Sequence, residues 1–121
     1  MDEVSIRTEF YPLRLIAYQR SSVDLIFKIS NRSSSVLWIE ADVILPNTLS
    51  LSEDKQIPRA RIRLGLVGSQ GELVRPVKIY GNVNTYPDTY KIVYKVRGFD
   101  RYGMFKGEWE GHCYLRCERY R

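Results

Sequence analysis

The residues best equipped for chemistry crowd into one stretch near the C-terminus, "MFKGEWEGHCYLRCE". Glu108 and Glu110 sit two apart. In an extended strand they share a face, with their carboxyls about 6–7 Å from each other. A pair of carboxyls at such a spacing is what glycoside hydrolysis uses. Neighbouring acids on one face are also the ordinary content of a solvated strand, and nothing in the sequence marks a cleft around them. His112 is the single histidine. It has no Ser or Cys in a nucleophile context, so triad chemistry is unsupported. Cys113 and Cys117 are spaced C-x-x-x-C. On one strand their Cα atoms stand roughly 13 Å apart, well beyond the 4.4–6.8 Å of a disulfide. They read as two buried small apolar residues. His112 points to the opposite face from Cys113, and too few ligands surround them for a metal centre. The sequence therefore identifies no catalytic residue, no metal ligand set and no cofactor.

Two other groups invite a binding role. Arg59, Arg61 and Arg63 in "RARIRLG" form a one-sided cationic row. Such a row could contact phosphates. It also matches an edge strand guarded by charge, and it lacks the exposed aromatics usual beside a single-stranded nucleic acid. The second group is a sheet face carrying Trp38, Lys91, Val93, Lys95 and Tyr114. Glu40 and Asp42 flank it on one side and Glu108 and Glu110 on the other. Cross-strand pairing accounts for the charges. An outward Trp38 beside Val93, rimmed by charge, has the make-up of a protein interface; a bulge that turns Trp38 inward makes it a core residue instead.

The elements that carry these residues follow from alternation of period two. "VSIRTEF" alternates until Pro12 breaks it, and "LRLIAY" continues afterwards. In "VDLIFKISN", Val23, Leu25, Phe27 and Ile29 share one face. In "VLWIEADVIL", Leu37, Ile39, Ala41 and Val43 face one way and Trp38, Glu40 and Asp42 the other. "NTLSLSEDKQIP" reads as a long connection with a short edge strand. "RARIRLGL" alternates again. "ELVRPVKIYG" contains Pro76, which places it at an edge or a bulge. "PDTYKIVYKV" puts Tyr90, Ile92, Tyr94 and Val96 inside and the lysines outside. Tyr90 opens that strand after "YPDT", the place of a tyrosine corner, where a buried Tyr bonds its hydroxyl to the backbone upstream. In the last strand Phe105, Trp109, Cys113, Leu115 and Cys117 take one face and Lys106, Glu108, Glu110, His112, Tyr114 and Arg116 the other. Gly107 and Gly111 suggest a bulge or bend.

The expected fold is all-β, an immunoglobulin-like β-sandwich of about seven to eight antiparallel strands filling residues 1–121 as one domain. Composition agrees. The chain is 44% hydrophobic and 27% charged, and its nine Tyr, four Phe and two Trp favour strands. A net charge of +5 permits an anionic partner without specifying one. The start "MDEVSIRTEF" is acidic and alternating, unlike a signal peptide, and no run approaches the ~18 apolar residues of a membrane span. A cytoplasmic protein with reduced thiols is the simplest expectation. One N-x-S sequon occurs, at Asn31.

Three segments carry a resemblance: "VDLIFKISNRSSSVLWIEADVILPNTLSLS", "IRLGLVGSQGELVRPVKIYG" and "YPDTYKIVYKVRGFDRYG". Their order of strands and turns resembles the immunoglobulin-like modules of the CARDB and NEW3 type, found in archaeal and bacterial proteins. Asp88 stands where that family's turn usually has Gly, and Pro76 interrupts a strand that is usually regular. The resemblance implies a non-catalytic module that contacts other proteins, or sometimes carbohydrate. The Trp38 face or an edge strand also offers a route to self-association. Binding of nucleic acid through the arginine row is the alternative.

Overall fold

The computed structural model describes residues 3–119. Eight strands run in order: β1 (Val4–Tyr11), β2 (Arg14–Ile16), β3 (Ser21–Asn31), β4 (Leu37–Ile44), β5 (Arg59–Val67), β6 (Glu72–Gly81), β7 (Asp88–Phe99) and β8 (Phe105–Glu118). They form two sheets, β1-β3-β6 and β2-β8-β7-β4-β5. The alternating residues of each strand supply the core between the sheets. Phe27, Leu25, Ile29 from β3, Ile39 and Val43 from β4, and Ile92 and Val96 from β7 are fully buried. Phe27 meets Tyr94 edge to face across the sandwich, with ring centroids 5.3 Å apart.

Three expectations need correction. The strands are not all antiparallel: β2 pairs parallel to the end of β8, Leu15 opposite Cys117. The break at Pro12 does more than interrupt a strand, because it moves the chain from one sheet to the other. The continuation is also shorter than "LRLIAY", spanning only Arg14–Ile16. The polar connection before β5 holds no edge strand; it touches the sheet through one bridge, Ser50 to Tyr80.

Pro76 sits opposite Ile26 in an unbroken register. It can do so because β6 is an edge strand, where its missing N–H faces no neighbour. Asn31 is fully buried. Its amide nitrogen donates to the carbonyls of Ser35 at 2.8 Å and Gly68 at 3.1 Å. The side chain ties the β3–β4 turn to the β5–β6 turn, so the nitrogen a glycan would need is spent inside the fold.

Candidate interaction surface

The outer face of the five-stranded sheet carries most of the residues singled out from the sequence. Register decides which of them meet. Along β4 and β7, Trp38 lies opposite Phe99, Glu40 opposite Arg97, Asp42 opposite Lys95 and Ile44 opposite Val93. Along β7 and β8, Arg97 lies opposite Glu108, Lys95 opposite Glu110, Val93 opposite His112 and Lys91 opposite Tyr114. Trp38 is therefore not beside Val93. The two are separated by the length of strand between Trp38 and Ile44, about 20 Å. The expected cluster splits into two ends with a charged belt between them.

The belt is built on Asp42, a buried carboxylate. Its Oδ1 accepts from Arg61 Nε at 3.1 Å and its Oδ2 from Arg97 Nη1 at 3.1 Å. Arg97 Nε in turn donates to Glu108 Oε1 at 2.9 Å. The chain of bonds crosses β5, β4, β7 and β8. Burial by itself would raise the Asp42 pKa, but the hydrogen bond from Arg61 and the charges of Arg61, Arg97 and Arg59 outweigh it, and the net shift is downward. Arg97 is shifted up, first by its bond to Glu108 and then by the Asp42 charge, with desolvation opposing. Lys95 pairs with Glu110 at 3.4 Å. Glu108 and Glu110 thus serve different cations on β7, which is a structural use of both carboxylates.

β5 borders the sheet, and the arginine row lies on it. Arg61 is held by Asp42. Arg63 faces Glu40 in register and Arg59 faces Ile44. Of the row only Arg61 has an ion-pair partner among the described residues, and Arg59 and Arg63 are exposed at the edge.

At one end of the belt the same face turns apolar. Trp38 is half-buried and outward, its indole N–H donating to Glu40 Oε2 at 2.9 Å. Across from it on β5 stands Leu66, kept outward by a bulge beside Gly65, whose φ of 128° suits glycine. On the other side stands Phe99. Phe105 meets Phe99 edge to face at 5.9 Å. The alternation had placed Phe105 on the inner face with Trp109. A register shift after Gly98 sets Phe99 opposite Phe105 instead of Lys106, and that flips Phe105 outward. The β7–β8 turn adds Tyr102 and Met104. Tyr102 is 78% exposed, Met104 64%, Leu66 63% and Phe105 57%. Val36, Trp38, Leu66, Phe99 and Tyr102 line one open depression. Alternation alone does not reveal this patch: Leu66 and Phe105 lie beyond bulges, and Val36 and Tyr102 lie in turns.

The other end of the face holds Ile44, Val93, His112, Tyr114 and Lys91. Val93 and Ile44 are half-buried, Lys91 and Tyr114 exposed. Tyr114 stacks edge to face on His112 at 5.4 Å. A second apolar region lies at that end of the molecule, around Tyr11, Pro12, Leu13 and Ile16, in a depression that also borders Arg119, the last described residue.

Inside, Tyr90 is buried and donates its hydroxyl to the Tyr86 carbonyl, closing the turn into β7. Burial raises its pKa. Cys113 and Cys117 are free thiols on the inner face of β8. Burial pushes the Cys113 thiol up to about 11 and shifts Cys117 in the same direction. No group of three or more metal-binding side chains occurs among the described residues.

No family model matches the chain, and no curated protein matches it in sequence. Solved structures share its architecture. A FixG-related protein from Vibrio parahaemolyticus superposes with a TM-score of 0.58 at 14% identity, covering 97% of this chain and 98% of that one. The ASH/PapD-like domain 7 of human CEP192 gives 0.53 at 13% identity, over 98% and 87%. The fold is an immunoglobulin-like β-sandwich. Spo0M, a sporulation control protein from Bacillus subtilis, gives 0.56 at 9% identity over 99% of this chain and 51% of that one. At these identities the likeness speaks to fold.

Proposed function

We propose that this sandwich is a non-catalytic protein-interaction module whose contact surface is the apolar end of the five-stranded sheet. One observation carries the reading: exposed Leu66 and Tyr102 line one depression with the half-buried Trp38 and Phe99, and exposed Phe105 packs on Phe99. Aromatic and aliphatic side chains gathered over a rigid sheet, with polar groups outside, are the composition of an interface core. Nearby carboxylates are already engaged. Glu40 takes the Trp38 indole, Asp100 accepts the backbone N–H groups of Tyr102 and Met104, and Glu108 takes Arg97. Arg63, Arg101 and Lys106 lie around the patch with no ion pair among the described residues. The partner this fits is a protein segment with apolar or aromatic side chains beside acidic ones.

The nucleic-acid reading is weaker because its central residue, Arg61, is committed to Asp42. Kinship with the CARDB and NEW3 modules rests on the strand and turn pattern of the three segments quoted above and belongs to this proposal. The test is a photo-crosslinking side chain placed at Tyr102 in the native host. A discrete protein adduct is expected, lost when Leu66→Glu is added and absent when the probe sits at Lys78 on the other sheet. The same adducts from both positions would overturn the proposal.

A further inference from the structure

Four strands border the two sheets, β1 and β6 in one and β2 and β5 in the other. Unpaired strand edges invite pairing with other chains unless something blunts them. β5 carries its arginine row and a bulge beside Gly65. β6 carries Pro76, and its Arg75 side chain lies over Gly65, 3.7 Å from where a Cβ would stand. β2 is 3 residues long. That brevity exposes a fifth edge. β8 has 14 residues and pairs with β7 along its length, whereas β2 covers only Arg116–Glu118. From Phe105 to Leu115 no strand lies on that side, and no backbone hydrogen bond reaches it among the described residues. This stretch has no proline, and its one irregularity lies between Phe105 and Gly107.

We propose that this open edge of β8 pairs antiparallel with the same edge of a second copy of the chain, about a twofold axis through Gly111. The two five-stranded sheets then form one continuous sheet. Charge selects the occupant and the register. About Gly111, Glu110 faces His112 of the other copy, Glu108 faces Tyr114 and Trp109 faces Cys113, each pair occurring twice. All outer-face carboxylates then oppose a residue that is not a carboxylate. An axis through Glu110 sets that carboxylate against itself, and an axis through Trp109 sets Glu108 against Glu110; like charges directly opposite are unfavourable. An axis through His112 shortens the pairing, because the free edge ends at Leu115 where β2 begins. The segment "EWEGHCY" is thus complementary to its own reverse. Gly111 is already fixed at this point by the fold, since a Cβ there would stand 2.5 Å from the Tyr94 hydroxyl. The pairing ends at Gly107, opposite Leu115 of the second copy, because β2 covers Arg116–Glu118 there.

Sedimentation velocity of the full chain across micromolar to millimolar concentration is the first measurement, with a monomer–dimer equilibrium expected. Glu110→Arg places a cation against His112 at both symmetry-related pairs and weakens dimerisation about tenfold. The exchange Glu110→His with His112→Glu restores it. Glu110→Cys with His112→Cys gives a covalent dimer on mild oxidation, and Glu110→Cys alone does not. Circular dichroism confirms that each variant folds. A chain that stays monomeric throughout overturns the proposal. So does a dimer that survives Glu110→Arg but is lost on Leu66→Glu, which would move self-association to the apolar end.

Discussion

The charged belt and the apolar end occupy the same outward face of the same four strands, yet the fold treats them differently. In the belt the buried Asp42 holds Arg61 and Arg97 on the strands at either side of it. At the apolar end the strands continue, but Leu66 and Phe105 face solvent and only Trp38 finds an internal bond. Local stabilisation accounts for the belt. It does not account for a cluster of exposed aromatic and aliphatic side chains, whose burial would be favourable by about 25 cal/mol per Å². The difference separates residues that serve the fold from residues available to a partner.

Substitutions should sort along that line. The largest effect is expected from Asp42→Ala, which leaves Arg97 without its buried partner. A loss of about 2 kcal/mol is expected, below the full cost of breaking a buried pair because Arg61 is solvated. Urea unfolding reads it as a lower midpoint at unchanged slope. The same carboxylate makes stability depend on acid. Its folded-state pKa lies below the ordinary aspartate value, so the unfolded chain binds the proton more readily. The stabilisation is fully present above the unfolded value and is lost as pH falls through the folded value. Between pH 5 and pH 2, Asp42→Asn should therefore lose less stability than the native chain. An identical pH profile for both would remove Asp42 from its central place in the belt.

A smaller effect separates the two arginines. Arg97 bonds both Asp42 and Glu108, while Arg61 bonds Asp42 and is 56% exposed. Thermal unfolding should therefore show a larger drop for Arg97→Ala than for Arg61→Ala, and a double-mutant cycle should find stronger coupling of Arg97 to Asp42. The smallest effects belong to the apolar end. Leu66→Gln and Tyr102→Ser should each change stability by no more than about 0.5 kcal/mol, and Leu66→Gln should abolish crosslinking by the probe at position 102. A large destabilisation from either would make the patch part of the fold and erase the contrast.

Much of the fold was legible beforehand. Val23, Leu25, Phe27 and Ile29 announced an inward face, and "PDTYKIVYKV" announced both its core residues and its outward lysines. The apolar end was mostly illegible. Alternation puts Trp38 outward but leaves open a bulge that turns it into the core, and it sets Val93 beside Trp38 where the structure has Phe99. Phe105 was assigned inward because an unbroken alternation requires it, and the register shift after Gly98 reverses that. Tyr102 and Met104 sit in a turn, where no periodicity applies. The open edge of β8 was equally hidden, since it depends on how little of β8 the short β2 covers.

Alternation in the chain settles which side of each strand faces the core. Side chains alternate with a strict period of two, so the spacing of apolar residues settles the face wherever the strand is regular. Which residues become neighbours across strands depends on register, which alternation leaves open. Sliding one strand past another by two residues preserves every face and changes every neighbour, and a single bulge exchanges the faces beyond it. Turn geometry and packing between the sheets made that choice. They put Trp38 with Phe99, turned Phe105 to solvent and left β8 uncovered.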